Sequence, residues 1–140
     1  MNADTLVDTN IIVYAFDRDE PEKRKKALAA VLALQNEGSA TISNQILAEV
    51  FSVLSGKKTV PLEEAETIIQ LFAASPAWKK VAYTERTVVR AAAIKKLYGA
   101  PFWDALIAAT IEEQNISLLL TENTKHFARI PFVQAKSPFV

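Results

Sequence analysis

The stretch Thr5–Ile11, Thr-Leu-Val-Asp-Thr-Asn-Ile, decides the fold of this chain. It opens with a short run of strand type, and a carboxylate, Asp8, ends that run. Thr9 is a residue type that caps helices, so we predict a helix from Asn10 to about Phe16. A strand that passes directly into a helix begins an α/β unit, and a helix capped by Thr9 leaves Asp8 free to point into a crevice.

Strand and helix signals alternate along the rest of the chain. Strands are predicted over Ala40–Ile42, Trp78–Tyr83 and Ile116–Leu120, with at most one edge strand in the tail Ile130–Val140. Helices are predicted over Glu22–Gln35 (with Gly38 just past its end), from a Ser43 cap to Leu54, from Pro61 to Ala74, from a Thr84 cap to Gly99, and from Pro101 to Gln114. This order predicts an α/β fold with a parallel sheet of four to five strands covered on both faces. Its ligand site is expected outside the carboxyl ends of the strands.

Length and composition predict one domain over residues 1–140. Half of the 140 residues are hydrophobic and the formal net charge is zero, which argues against disorder and against a bulk polyanion binder. No apolar run approaches the roughly 20 residues of a membrane span, and the N-terminus lacks a secretory pattern. Cysteine is absent and there is one histidine, which excludes disulfides and Cys- or multi-His metal sites. We therefore expect a cytoplasmic protein without membrane contact.

Asp8 and Glu49 are carboxylates at positions where a site is expected. Asp8 ends the first predicted strand, so it either stabilises a turn or points into the crevice. Glu49 borders an apolar helix stripe, with Ile46 three residues before it and Val53 four residues after it. Its carboxylate either reaches back to water or faces a site. The sequence leaves both alternatives open for each residue.

Asp104 is the most informative carboxylate. It is the only ionisable residue from Gly99 to Ile111, and its helical neighbours are apolar. A helix that is apolar all round is usually buried, and an isolated buried carboxylate is unfavourable unless it is paired or binds a cation. The alternative is a first-turn aspartate stabilised by the dipole of a helix that Pro101 opens.

Polar residues also follow the last predicted strand, at Thr121, Glu122 and Asn123. Thr121 or Asn123 suits the cap of a short helix. Glu122 is either a metal ligand or an exposed loop glutamate.

The carboxyl ends of parallel strands meet at one edge of a sheet, so Asp8, Glu49, Asp104 and Glu122 share a pocket if they converge. Hard oxygen ligands without Cys or His favour Mg²⁺ or Mn²⁺. Such an ion activates a bound water and neutralises charge on a phosphoryl group. Without metal, the like charges are expected to raise the pKa values of these acids.

Other enzyme classes fit the sequence poorly. Only three glycines are present, which excludes a Gly-rich phosphate loop and a dinucleotide fingerprint. A Ser-His-Asp triad would need His126, but no Gly-x-Ser-x-Gly elbow is present, and we predict a surface or hinge role for this histidine. A phosphoaspartate hydrolase would need Asp-x-Asp where the chain has Asp8-Thr9-Asn10.

Four motifs, taken together, resemble the PIN-domain family, and most closely the VapC-type toxins of toxin–antitoxin pairs. In order, they are Val7–Ile11 (VDTNI), Asn44–Val50 (NQILAEV), Phe102–Ala109 (FWDALIAA) and Leu119–Asn123 (LLTEN) followed by Phe127. No single motif is very specific, but all four occur in the family's order and at its spacing over nearly the whole chain.

The resemblance implies a PIN-like three-layer α/β/α sandwich and an endoribonuclease that depends on Mg²⁺ or Mn²⁺. Asp8, Glu49 and Asp104 match the family's three main acidic positions. Asn10 matches a supporting polar position, and Thr121 matches the hydroxyl residue near the site.

The family often carries a fourth acid, an aspartate, in the segment that begins at Thr121. Here the nearest positions hold Glu122, Asn123 and His126, which puts a second metal position in doubt. The resemblance also implies a homodimer and inhibition by a co-encoded antitoxin. The alternative is a non-catalytic PIN-like domain that binds RNA or a protein through a weakened metal site.

Basic residues occur in small clusters along the chain. Lys57, Lys58, Arg86 and Arg90 are candidates for contacts with RNA phosphates. The alternative is that they are solvated residues that keep the protein soluble.

Overall fold

The computed structural model describes residues 3–56 and 59–140. Five strands are present in this part of the chain: β1 (Thr5–Val7), β2 (Ala40–Ser43), β3 (Lys79–Val81), β4 (Leu118–Leu120) and β5 (Ala135–Lys136). The α-helices are α1 (Thr9–Tyr14), α2 (Pro21–Glu37), α3 (Asn44–Gly56), α4 (Leu62–Ala74), α5 (Glu85–Tyr98) and α6 (Phe102–Gln114). A short 3₁₀ helix follows β4 at Thr124–Phe127.

All five strands form one parallel sheet in the order β3-β2-β1-β4-β5. The predicted α/β class and the parallel sheet are confirmed, and the tail contributes the fifth, edge strand. The chain steps from β1 to β2 to β3 in one direction, then crosses back to β4 and β5 on the other side of β1. The carboxyl ends of β1 and β4 are therefore neighbours although more than half the chain separates them.

The reversal after β3 also sets the layers. Right-handed crossovers, which parallel strands strongly prefer, place α1–α4 on one face and α5 with α6 on the other. The contacts agree, because α1 packs against both α2 and α3, α3 packs against α4, and α5 packs along α6. The result is the three-layer α/β/α sandwich expected for the fold.

The core lies between the sheet and its helices. Every residue of β1 and β2 is buried, and so is the continuous run Ala105–Ile111 of α6. The expectation that this apolar helix is buried is thus confirmed. Burial of α6 fixes the position of its first turn, which carries Asp104.

Most predicted helix ends are confirmed by their caps. Gly38 and Gly99 end α2 and α5 in the left-handed conformation, at φ 73° and 69°. The Ser43 hydroxyl accepts a hydrogen bond from the Ile46 amide at 3.1 Å, as expected of a residue that caps α3.

The predicted cap of α1 was wrong. The N-cap is Asp8, whose Oδ1 accepts a hydrogen bond from the Thr9 amide at 2.8 Å, and helix α1 starts at Thr9. Aspartate caps helices as well as threonine does, and Asp8 has the extended backbone that an N-cap needs. The Thr9 hydroxyl is thereby left for a contact elsewhere. Helix α1 also ends at Tyr14, before the predicted Phe16.

Two strands are shorter than predicted. β3 covers Lys79–Val81 within the predicted Trp78–Tyr83, and β4 covers Leu118–Leu120 within the predicted Ile116–Leu120. Among the helices of the described chain, none has both the length and the apolar composition needed to span a bilayer.

Candidate active site

An open cleft of about 470 Å³ lies at the carboxyl ends of β1 and β4. Its lining includes all four acids singled out in the sequence, with two of the supporting polar residues: Asp8, Glu49, Asp104, Glu122, Asn10 and Asn123. The strand order accounts for this convergence, because β4 lies beside β1 and the helices α3 and α6 start near the same edge. Carboxylates from four distant segments therefore face one cavity.

Asp8 lines the cleft and is only 7% exposed. Its Oδ1 accepts from the Thr9 amide, and its Oδ2 accepts from the Thr121 hydroxyl at 2.7 Å. Thr121 itself is fully buried, and its Oγ1 also accepts from the Asn123 amide at 3.0 Å. The carboxylate is therefore held in one orientation by donors from both ends of the chain.

Asn10 joins the first strand end to the loop after β4. Its Oδ1 accepts from the Glu122 amide at 3.1 Å, and its Nδ2 lies 3.5 Å from both Asp8 Oδ2 and Thr121 Oγ1. The amide thus bridges two segments 112 positions apart. This geometry suits a residue that positions the site.

Glu49 projects from α3 toward α1. Its Oε1 accepts a hydrogen bond at 3.1 Å from the Thr9 hydroxyl, which the capping role of Asp8 has left available. The side chain is half-buried. The sequence left open whether the Glu49 carboxylate reaches back to water or faces a site. In the structure Glu49 lines the cleft.

Asp104 lies in the first turn of α6 and lines the cleft from the opposite layer. Its Oδ2 is 3.3 Å from Nδ1 of His126, which the 3₁₀ helix carries. The predicted surface position of His126 is confirmed, since its side chain is about half exposed. Its contact with Asp104 was not foreseen, because nothing in the local sequence links the two.

The pKa values of all three main acids are raised above their ordinary values. Burial is the first cause for Asp8, Glu49 and Asp104, because it disfavours the charged carboxylate. Repulsion adds to this, since Asp104 raises the pKa of Asp8, and both raise the pKa of Glu49. Burial is therefore the larger cause at all three acids, and like charge contributes only at Asp8 and Glu49.

Glu122 has partners within the chain. Its Oε2 lies 2.6 Å from Nζ of Lys23, and its Oε1 accepts from the Tyr14 hydroxyl at 3.0 Å. Lys23 also donates to the Tyr14 hydroxyl at 3.2 Å, and these contacts with Glu122 and Tyr14 raise the pKa of Lys23. Lys23 and Tyr14 were not predicted as site residues; Lys23 belongs to a basic run at the start of a helix, and such runs are usually solvated.

The model of the PIN domain family matches residues 5–133. This chain belongs to the PIN domain family. It is 27% identical over 138 residues to a Mycobacterium tuberculosis protein named Ribonuclease VapC24, and the match covers 94% of both chains. Among solved structures it resembles a toxin-antitoxin complex from Klebsiella pneumoniae, with a TM-score of 0.68, 25% identity, and coverage of 96% of this chain and 97% of that one. It also resembles VapBC2 from Rickettsia felis bound to a promoter DNA fragment, with a TM-score of 0.71, 21% identity, and coverage of 95% and 97%.

The donor set of this PIN domain suits a hard dication, although the side chains do not form a closed cage. Within residues 3–56 and 59–140, no three His, Asp or Glu side chains stand close enough together to ligate one ion as they are. Mg²⁺ usually keeps several waters and takes only one or two protein carboxylates, so a wide, open acidic cleft fits it. The chemistry of the residues present therefore agrees with a water-rich Mg²⁺ or Mn²⁺ site.

Of the four residues predicted to contact RNA phosphates, two are described by the structure, and these two do not line the cleft. Arg86 is exposed on α5, and Arg90 pairs with Glu112 through Nε at 2.7 Å; neither residue lines the cleft. Lys57 and Lys58 lie outside the described residues. Contacts of these four residues with RNA remain a prediction.

Proposed function

We propose that this PIN domain is an endoribonuclease that hydrolyses RNA phosphodiester bonds with Mg²⁺ or Mn²⁺. The observation that carries the proposal is the convergence of Asp8, Glu49 and Asp104 on one open cleft, with the pKa of each raised. At neutral pH these carboxylates carry negative charge in a partly buried site, and a bound cation offsets that charge. The relative named Ribonuclease VapC24 supports RNA as the substrate.

Asp8 and Asp104 are the residues we expect to hold the dication, with Glu49 acting directly or through a bound water. When bound, such an ion lowers the pKa of a coordinated water and neutralises charge on a phosphoryl oxygen. Asp8 Oδ1 accepts one hydrogen bond and Oδ2 accepts two, but a carboxylate has about four acceptor positions, so one position remains for a metal ion.

The remaining polar residues orient the acids. Thr121 and the Thr9 amide fix Asp8, the Thr9 hydroxyl fixes Glu49, and Asn10 holds the loop after β4 against α1. The partners of a ligating carboxylate set its direction and basicity. We assign Asn10, Thr121 and Asn123 this positioning role. Glu122 is a weaker candidate ligand, because Lys23 and Tyr14 already occupy its carboxylate.

We further propose that the protein is the toxin of a type II toxin–antitoxin pair and acts in the cytoplasm. The Klebsiella pneumoniae and Rickettsia felis structures, whose folds it shares, contain toxin and antitoxin together. A cognate antitoxin and a homodimer are the partners expected beside RNA.

The second candidate is a non-catalytic PIN domain that binds RNA or protein. Two observations favour it: the ion pair between Glu122 and Lys23, and the lack of a ready three-ligand group among the described residues. On this hypothesis the protein binds its partner but does not turn over at any concentration of divalent ion.

Cleavage of total RNA separates the two candidates. The wild type is expected to cut RNA with Mg²⁺ or Mn²⁺ and to stop when EDTA is added. Asp8→Asn and Asp104→Asn are expected to lose cleavage while circular dichroism shows a retained fold. The site assignment fails if both variants cut RNA as fast as the wild type, and the enzyme proposal fails if the wild type binds RNA without cutting it.

A further inference from the structure

Trp103 presents an exposed aromatic face beside the proposed active site. It directly precedes Asp104 in the first turn of α6 and is 59% exposed, whereas tryptophan is usually well covered. Its ring centroid lies 5.2 Å from that of Phe102, with the two planes at 75°. An edge-to-face contact of this kind steadies the indole and leaves one face available for a flat ligand.

A second cavity of about 290 Å³ opens next to this tryptophan, and we call it the aromatic pocket. Its walls are Gln45, Ala48, Glu49, Ser52, Tyr83 and Trp103. Glu49 lines both this pocket and the acidic cleft, so the two cavities share one residue and lie next to each other. A nucleotide with its phosphate in the cleft can therefore reach the pocket with an adjoining base.

Gln45, in the wall of the aromatic pocket, carries an unpaired acceptor. Only 4% of this residue is exposed, and its Nε2 donates to the Trp103 carbonyl oxygen at 3.0 Å. Its Oε1 is buried without a hydrogen-bond partner in the part of the chain that the structure describes. A buried amide oxygen without a donor is unfavourable, and a ligand N–H group can satisfy it. Because Oε1 is itself covered, that contact requires a local movement of the pocket wall.

We propose that the aromatic pocket binds one RNA nucleobase next to the bond that is cut, stacked on Trp103 and donating an N–H to Gln45 Oε1. The inference rests on the proposed ribonuclease function and adds a base-binding subsite to it. A nucleobase combines a flat apolar face with N–H groups on its edge, which matches an exposed indole beside an unpaired acceptor. An aliphatic side chain from another protein would cover Trp103 but leave Gln45 Oε1 unsatisfied.

Binding of RNA without cleavage tests this subsite. The probe is a fluorescein-labelled single-stranded RNA of about 12 nucleotides and random sequence, and its control is an abasic strand of the same length. Both are titrated with Mg²⁺ against Asp8→Asn protein, and anisotropy gives the Kd. Adding Trp103→Ala is expected to weaken binding of intact RNA about tenfold, whereas Trp103→Phe, which retains an aromatic ring, stays within about twofold.

Two controls define the result. Leu97→Ala removes a similarly exposed side chain, 67% accessible, that lines neither cavity, and it is expected to leave the Kd unchanged. With abasic RNA, all variants are expected to bind alike, because no base is present to stack.

Four outcomes overturn the inference: no RNA binding by the Asp8→Asn parent, full binding by Trp103→Ala, an equal loss with abasic RNA, or a loss accompanied by a change from dimer to monomer in analytical ultracentrifugation. The last would make the pocket an interface between copies of the chain. Cleavage of total RNA by the wild type is measured in parallel, so that failure of the ribonuclease proposal is recognised separately.

Discussion

At the scale of single residues, Asp8 shows how this site tolerates a buried charge. Its carboxylate is nearly covered, and it is held by the Thr9 amide and the Thr121 hydroxyl. Hydrogen bonds to the charged form lower its pKa, but not enough to offset burial, so the net pKa is raised. The group is oriented by the protein yet remains incompletely compensated, as a cation-binding carboxylate needs to be.

Replacing Thr121 by valine tests the bond that orients Asp8. Thr121→Val keeps the shape but removes the donor to Asp8 Oδ2 and the acceptor for the Asn123 amide. The free energy of unfolding is expected to fall by about 1–3 kcal/mol in urea titrations, and the affinity for Mg²⁺ by about tenfold or more. Thr121→Ser retains the hydroxyl and is the control. Equal Mg²⁺ affinity in the two variants would remove Thr121 from the positioning set.

Glu49→Gln tests how far the negative charge on Glu49 lowers the stability of the folded protein. Because its pKa is raised above the ordinary 4.5, the folded protein holds this proton more strongly than the unfolded chain. The contribution of Glu49 to stability is therefore fully present below pH 4.5 and is lost as pH rises through the folded pKa.

Glutamine retains an acceptor for the Thr9 hydroxyl but carries no charge. Without metal, Glu49→Gln is expected to melt at a higher temperature than the wild type at pH 7, with the difference shrinking as pH falls toward 4. A difference that stays constant with pH would show that the charge is not its cause.

At the scale of elements, the pairing of α5 with α6 places Asp104. The two helices pack along each other, and the buried Thr87 hydroxyl of α5 donates to the Glu113 carboxylate of α6. The connection between them is short: Gly99 ends α5, and Pro101 is the N-cap of α6. Helix α6 is therefore held at both ends, by the short connection before it and by the contact of Glu113, and this sets the position of its first turn.

Gly99→Ala tests this connection. Gly99 has φ 69°, which favours glycine, while the one described residue that a Cβ there would meet is Arg129, at an ordinary 3.9 Å. The cost is thus conformational, and we expect a loss of about 1 kcal/mol in the free energy of unfolding.

Gly56→Ala is the matched control for Gly99→Ala. Gly56 is the last residue of α3, and a Cβ would have no neighbour within 4 Å among the described residues. Alanine is favoured over glycine in a helix by about 0.5–1 kcal/mol, so Gly56→Ala is expected to be neutral or stabilising. The explanation fails if the two substitutions have the same effect on urea unfolding.

At the scale of the whole molecule, the sheet order gathers the site. β4 lies beside β1, and the crossover after β3 returns α6 to the same edge. The helices α1, α3 and α6 therefore contribute one main acid each: Asp8 at the N-cap of α1, Glu49 in the middle of α3 and Asp104 in the first turn of α6. The fold brings these acids to one cleft, so a cation that binds there should stabilise the folded state.

Mg²⁺ and Mn²⁺ are expected to raise the melting temperature at neutral pH. An ion that binds only the folded state adds about 2.7 kcal/mol when its free concentration is one hundred times the Kd. Differential scanning fluorimetry over a titration of each ion measures the shift, and Asp8→Asn is expected to remove most of it. A melting temperature that does not change with either ion would contradict a shared cation site.

Much of this architecture is determined locally. Each cap, each apolar run and each glycine that ends a helix acts within a few residues, because helix and strand periodicity is a short-range property. The motifs around Asp8, Glu49 and Asp104 therefore predicted the fold class, and their resemblance to the PIN domain predicted which acids would meet. The error in the cap of α1 arose because Asp8 and Thr9 are both good capping residues.

The sequence by itself determined the elements, the parallel sheet and the three main acids. Only the tertiary structure decided the partners of those acids: Thr121 for Asp8 across 113 positions, Thr9 for Glu49, and His126 for Asp104. It also decided that Lys23 forms an ion pair with Glu122, in the segment where the family often has a fourth acid. The physical reason is the separation of these residues along the chain. Contacts between distant segments depend on how whole layers pack, and local sequence patterns do not predict that packing.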